Sequence, residues 1–343
     1  MIMKHGGNIS QAARHFGFQP TEMIDLSTGI SPRAYPVDLN RFTADDLIQL
    51  PQDDDAGRLM RIMDDAWSVP DSVKIALAPG SGLIISLLPG LCRDVYAEGR
   101  KVVLCPSPVY GEHRDAWQDA GFDVRNYPAG SVPMIDDDCA AVIAVQPGNP
   151  MGGLRPVDDW LPLLNDAATR QVMVVMDEAF IDLRPDKSLI PQMGQQGQVV
   201  IRSLGKFYGL AGLRLGAAAG HPDDMARFSR MMGPWPVSSL ALQIGAMAIG
   251  DHDWADRQRQ WLSEHMQAMM SGLTARGMPI IGGTDLYCLI NAGDAAALQD
   301  HLGKAGFWTR IFEDNPTWMR LGIPLDDVIM TRFFTALDQF DRH

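Results

Sequence analysis

Short, continuous apolar runs punctuate the middle of the chain. Residues 102–105, 141–145, 172–176 and 199–202 are each rich in β-branched or apolar side chains, and each is followed by Pro, Gly, Asp or Ser. Strands buried on both faces of a parallel sheet have this pattern. Helical stretches at 110–120 and 157–170 alternate with them, which predicts an α/β domain. Gly-Ala-Ala-Ala-Gly at 216–220 adds one more short strand.

Beyond about residue 236 the period changes. Residues 254–276 predict a long amphipathic helix with Leu262, Met266, Met269 and Leu273 on one stripe and Gly277 as its stop. Strands at 286–291 and 318–322 follow, with helices around 294–305 and 326–340. The first forty residues are rich in Gly, Pro and polar side chains and predict an arm. The expected organisation is an arm over 1–40 that contributes to the smaller domain and the active site, a large α/β domain over 41–236 with a mostly parallel mixed sheet, and a smaller α+β domain over 237–343. Met-Gly-Pro-Trp-Pro at 232–236 marks the second boundary.

With 343 residues, 46% of them hydrophobic and 21% charged, there is core material for two domains. A net charge of −13 argues against duplex nucleic acid, whose phosphates need clustered Lys and Arg. A small anionic ligand stays possible, because a pocket can be basic inside an acidic protein. Cys92, Cys105, Cys139 and Cys288 are widely spaced, so neither a zinc site, a metal centre of another kind, nor a disulfide framework is expected. No run has the length of a membrane span and the N-terminus lacks a signal-peptide core, so the cytoplasm is the expected compartment.

Ligands of open α/β sheets collect beyond the carboxyl ends of the strands, and four features lie there. In Ser203-Leu204-Gly205-Lys206 the lysine follows a strand, where a pocket lowers its pKa and frees its amine for Schiff-base chemistry. Ser203 and Arg214 offer phosphate donors. Asp177, in Asp177-Glu178-Ala179-Phe180, is a carboxylate fixed at a strand end. Gln146-Pro147-Gly148-Asn149-Pro150 is a rigid turn that aims one amide, Asn149. Pro79-Gly80-Ser81-Gly82 opens an apolar helix whose free N–H groups suit an anion. Tyr110 follows another strand and can stack on a planar ring. Singly, each is an ordinary turn; their order along one chain carries the reading.

In that order the motifs resemble those of fold-type I pyridoxal 5′-phosphate (PLP) enzymes with the aspartate aminotransferase-like fold, in the branch that includes histidinol-phosphate aminotransferases. The resemblance implies PLP anchored on Lys206, its ring nitrogen paired with Asp177, its phenolic oxygen with Asn149, and its phosphate held by Gly80, Ser81, Gly82, Ser203 and Arg214. Met319-Arg320-Leu321-Gly322-Ile323 resembles the family's strand with a substrate-carboxylate arginine, here Arg320. Within the branch, His5-Gly6-Gly7-Asn8 and residues 24–32 resemble the threonine-phosphate decarboxylases of cobalamin biosynthesis. Phe180 fits them too, since aminotransferase relatives usually carry Tyr there. Relatives also have a Tyr-Pro pair that reaches the neighbouring subunit's cofactor; Leu50-Pro51 stands in its place here.

The resemblance implies a homodimer acting on a small phosphorylated amino acid. His5, Gly29, Ile30, Ser31, Asn149, Arg155 and Arg320 are the expected substrate contacts. Two alternatives stand beside decarboxylation: a histidinol-phosphate-type aminotransferase, and a non-catalytic binding protein that kept the fold.

Overall fold

The computed structural model describes Gly6–Asp341. The chain divides into two compact units. The larger comprises Tyr35–Asn149 and Gly153–Ala255; the smaller comprises the residues through Ala34, Pro150–Gly152, and those from Asp256 onward.

The larger unit is built on a seven-stranded sheet. In spatial order its strands are Lys74–Ala78, Gly216–Gly220, Gln198–Ser203, Met173–Asp177, Cys139–Val145, Val102–Ser107 and Asp123–Pro128. Gly216–Gly220 runs against both of its neighbours and every other pairing is parallel, giving a mixed, mostly parallel sheet. The five apolar runs of the sequence are all strands here. Two further strands complete the sheet, of which only Asp123–Pro128 lacks that pattern. Asp123–Pro128 lies at the sheet edge with most of its side chains half-buried or exposed, where no continuous apolar run is needed. Lys74–Ala78 holds the opposite edge.

Helix Ser81–Val95 packs its Ile84, Ile85, Leu88 and Leu91 into the core beside Val103, Val175 and Ile201 of the strands. Helix Ser239–Gly250 is apolar on almost every side and correspondingly buried. Gly245 in it faces Leu59 of helix Asp53–Ala66. The change of composition at 232–236 therefore precedes a helix of the larger unit, and the division falls at Ala255/Asp256 instead. At the other end, the arm's unit ends at Ala34 rather than at residue 40, because Tyr35 pairs its N–H with the carbonyl of Tyr208 at 2.8 Å and packs edge-on against Trp254.

The smaller unit has a four-stranded antiparallel sheet in the order Arg310–Phe312, Asn315–Gly322, Tyr287–Asn291, Ile280–Thr284. Helix His252–Ala275 presents Leu262, Met266, Met269 and Leu273 as its buried stripe. Helices Ala295–Lys304 and Asp327–Asp338 complete the α+β arrangement. Ile24–Asp25 pairs in parallel with Phe307–Trp308, which sews the N-terminal segment into this unit. Among the described residues no helix is long and apolar enough to cross a membrane.

Candidate active site

Asp177 is the last residue of its strand and is buried. One carboxylate oxygen accepts the N–H of Ala179 at 2.9 Å. The other lies 2.8 Å from Nε2 of His113, an imidazole that is 1% exposed. Facing a carboxylate, Nε2 carries the hydrogen and donates it. His113 sits on helix Gly111–Asp119, three residues after Tyr110, and Tyr110 meets it edge-on at 6.4 Å. Residues three apart share a helix face. Reading the sequence for strand ends passes over His113, although an otherwise unexplained histidine one turn beyond Tyr110 is the signal that marks it.

Lys206 lies in the turn after strand Gln198–Ser203, adjacent to the Asp177 strand. Its Nζ stands 5.8 Å from the ring centre of buried Phe180. The next two residues hold the turn in place. Phe207 and Tyr208 are buried, Tyr208 stacks on Trp254 at 5.8 Å, and Phe207 meets the same indole edge-on at 5.9 Å.

Gly80, at the N-cap of helix Ser81–Val95, has φ +88°. A Cβ there would stand 2.7 Å from Nη2 of Arg214, so the absent side chain is the space the guanidinium fills. Ser203 pairs in register with Gly216, two residues beyond Arg214. The first-turn N–H groups of the helix receive no side-chain cap. Gly80, Ser81 and Arg214 thus meet at one helix N-terminus, where free N–H groups and the helix dipole favour an anion.

The turn carrying Asn149 is tied to the same strand end. Gln146 donates its backbone N–H to the carbonyl of Asp177 at 2.9 Å, and Gly148 N–H to the carbonyl of Gly153 at 2.8 Å. The Gln146 side-chain oxygen accepts from Trp160 Nε1 at 2.8 Å and from the N–H of Arg155 at 3.1 Å.

Glu178 and Arg202, each beside a site residue, form a buried charge cluster. Arg202 is 1% exposed. Its guanidinium lies 3.6 Å from Glu178, bonds to Asp182, and rests 4.4 Å over the Trp67 ring. Glu178 also accepts from Leu189 N–H at 2.6 Å and from the Ser188 hydroxyl at 2.7 Å. Burial pushes its carboxyl up to about 7, against Arg202 and these two donors.

In the smaller unit Arg320 is buried, donates Nη2 to the carbonyl of Ser27 at 2.7 Å, and lies 5.1 Å from the Tyr287 ring centre. Arg310 is its direct cross-strand partner: the register places the two guanidinium-bearing residues directly opposite each other on neighbouring strands. Arg310 is a residue the sequence reading missed, since only the register reveals it.

Other expected contacts are placed differently. The Ser31 hydroxyl donates to the Arg33 carbonyl at 2.8 Å and accepts from Gln258 Nε2 at 2.7 Å and from Arg33 N–H at 3.2 Å. Its donor and both lone pairs are used inside the smaller unit, which leaves the expected phosphate contact to other groups. Gly29 is buried and Ile30 half-buried in the same segment. Arg155 commits its guanidinium to the Gly130 carbonyl and, at 2.6 Å, to Asp159. Gly82 is exposed in the first helical turn. His5 lies outside the described residues.

A model of the aminotransferase class I and II family matches residues 59–336. The chain is 32% identical to a threonine-phosphate decarboxylase of Pseudomonas aeruginosa, over 98% of this chain and 97% of the relative. It is 34% identical to a threonine-phosphate decarboxylase of a Sinorhizobium species, over 98% of each. The solved histidinol-phosphate aminotransferase of Sinorhizobium meliloti, in complex with pyridoxal 5′-phosphate, has the same fold, with a TM-score of 0.77, 20% identity, and coverage of 96% of this chain and 93% of that one.

Proposed function

The chain belongs to the aminotransferase class I and II family, and from that premise we propose that it is a PLP-dependent decarboxylase of O-phospho-L-threonine. It releases CO₂ and (R)-1-aminopropan-2-yl phosphate, a step of cobalamin biosynthesis. One observation carries the choice of reaction: the identity of 32 to 34% with threonine-phosphate decarboxylases runs over nearly the whole of each chain.

The residues of the larger unit fit the cofactor. The space beside Gly80 that a Cβ would close is filled by Arg214, and a helix N-terminus and a guanidinium together suit a phosphate monoester. A buried carboxylate braced by His113 suits a protonated ring nitrogen. When bound, PLP supplies an electron sink for the pair released as the bond from Cα to the carboxylate breaks.

The chain's own residues do the rest. Arg214, Ser203 and the N–H groups at Ser81 hold the phosphate. Asp177 keeps the ring nitrogen protonated, and Asn149 donates to the phenolic oxygen. Tyr110 would stack on the ring. Lys206 anchors the cofactor and then carries a proton to Cα, replacing the lost carboxylate. Arg320 takes the substrate carboxylate, and Arg310, opposite it, shares the substrate's negative charge. Phe180 stands where aminotransferase relatives carry a phenol, so no hydroxyl from this position reaches the phenolic oxygen.

The test is incubation of the holoenzyme with O-phospho-L-threonine and no keto acid. Release of CO₂ at catalytic turnover supports the reading. Conversion of the cofactor to its pyridoxamine form, with turnover that requires a keto acid, replaces it with a histidinol-phosphate-type aminotransferase. The proposal includes a homodimer in the cytoplasm.

A further inference from the structure

Ser27 links two parts of the smaller unit that lie 293 residues apart. It is fully buried, and all of its polar groups are engaged. Its N–H donates to Asp25 Oδ1 at 2.8 Å, and its hydroxyl donates to the same oxygen at 2.6 Å. The hydroxyl in turn accepts the N–H of Gly7 at 2.8 Å. The carbonyl accepts Nη2 of Arg320 at 2.7 Å.

Each neighbour of this hub is fixed in its turn. Asp25 lies in the strand paired with Phe307–Trp308. The arm approaches so closely that a Cβ on Gly6 would stand 2.5 Å from the Ser27 carbonyl oxygen. Leu26, just before Ser27, accepts the N–H of Gly322 at 2.7 Å, two residues beyond Arg320. The guanidinium is thus held at one edge by the Ser27 carbonyl and approached on one face by Tyr287. A guanidinium is a rigid planar fork, so fixing one edge sets the direction of its other donors.

We infer that Ser27 is a positioning residue for Arg320: its hydroxyl clamps the N-terminal arm to the Asp25–Ser27 loop, and this fixes the carbonyl that aims the guanidinium at the substrate carboxylate. The inference rests on the reading of Arg320 as the carboxylate's partner. Without the hydroxyl, Gly7 N–H and Asp25 Oδ1 each lose a bond, and the loop carrying the carbonyl relaxes. Gly6→Ala acts on the same contact from the arm's side and leaves Ser27 intact.

The experiment compares holoenzymes of the wild type, Ser27→Ala, Gly6→Ala, Arg320→Met and the Ser27→Ala/Arg320→Met double variant. Steady-state kinetics with O-phospho-L-threonine are read beside calorimetric affinity for 1-amino-2-propanol phosphate, which has no carboxylate. Ser27→Ala and Gly6→Ala are each expected to lower kcat/KM about tenfold, the scale at which a small misplacement acts, mainly through KM. Affinity for the carboxylate-free ligand stays at the wild-type value. In the Arg320→Met background, Ser27→Ala has no further effect, because the two act as one unit. Equal weakening of both ligands, or an additive loss in the double variant, overturns the inference and leaves Ser27 with a purely structural role. Unchanged kinetics in Arg320→Met alone overturns the carboxylate assignment itself, and the inference with it.

Discussion

Asp177 has two partners with different consequences. The Ala179 N–H is part of the turn and survives any side-chain change. The His113 bond is a side-chain contact between residues 64 apart, both buried. Asp177→Asn keeps the shape and removes the charge, so kcat is expected to fall by roughly 10²–10³-fold, the scale of losing one electrostatic stabiliser; steady-state kinetics at saturating PLP check this. His113→Leu keeps approximate volume but leaves one carboxylate oxygen without its donor. Its expected cost is about 1–3 kcal/mol of unfolding free energy, read by urea denaturation, with a smaller loss of kcat than Asp177→Asn. A kcat loss larger than that of Asp177→Asn would give His113 a role beyond bracing the carboxylate. Asp177 was legible because it follows an apolar run directly. His113 was not, because its role depends on which strand end its helix faces.

At the scale of elements, the ends of strands Met173–Asp177 and Gln198–Ser203 are joined beside the site by Glu178, Arg202 and Asp182. Arg202→Met leaves two buried carboxylates without their cation and is expected to destabilise the protein by about 3–5 kcal/mol. Equilibrium unfolding measures this, and a loss below about 1 kcal/mol would show that water reaches the cluster. The same cluster gives a pH dependence. Burial raises the Glu178 carboxyl to about 7 from its ordinary 4.5. The folded state then binds more protons than the unfolded state between those values, so this group's contribution is fully present below about 4.5 and is lost as pH rises through about 7. Unfolding free energy measured across that window should fall with pH more steeply in the wild type than in Glu178→Gln; parallel slopes would assign the dependence elsewhere. The sequence showed Arg202 only as the polar end of a strand, since its two acidic partners are brought to it by the sheet register and the turn after Asp177. The edge strand Asp123–Pro128 was illegible for the complementary reason: half solvated, it needs no apolar run.

At the scale of the whole molecule, the chain carries a net charge of −13 yet sets Arg214 at a helix N-terminus and Arg310 opposite Arg320. Such local basic sites suit a cofactor phosphate and a doubly anionic substrate within an acidic protein. Leu39, Leu47, Ile48 and Leu50 are all more than half exposed, and exposed apolar side chains of this kind suit the contact face of the proposed homodimer. If the proposed homodimer forms there, light scattering gives twice the monomer mass and Ile48→Asp shifts it toward the monomer. A wild-type monomer at micromolar concentration would exclude the dimer.

By itself the sequence determined the α/β core and the order of the candidate site residues: Gly80, Tyr110, Asn149, Asp177, Lys206 and Arg214. All but Arg214 follow a strand or open a helix, and such local signals survive in one dimension. The tertiary structure alone decided the partners: His113 on Asp177, Arg202 beside Glu178, Arg310 opposite Arg320, and the Ser27 carbonyl at the edge of the guanidinium. The reason is physical. A residue's own chemistry and its neighbours along the chain set what it is able to do, but burial, register and hydrogen-bond partners depend on segments far away in sequence. They are settled only when the sheet and the N-terminal segment are assembled.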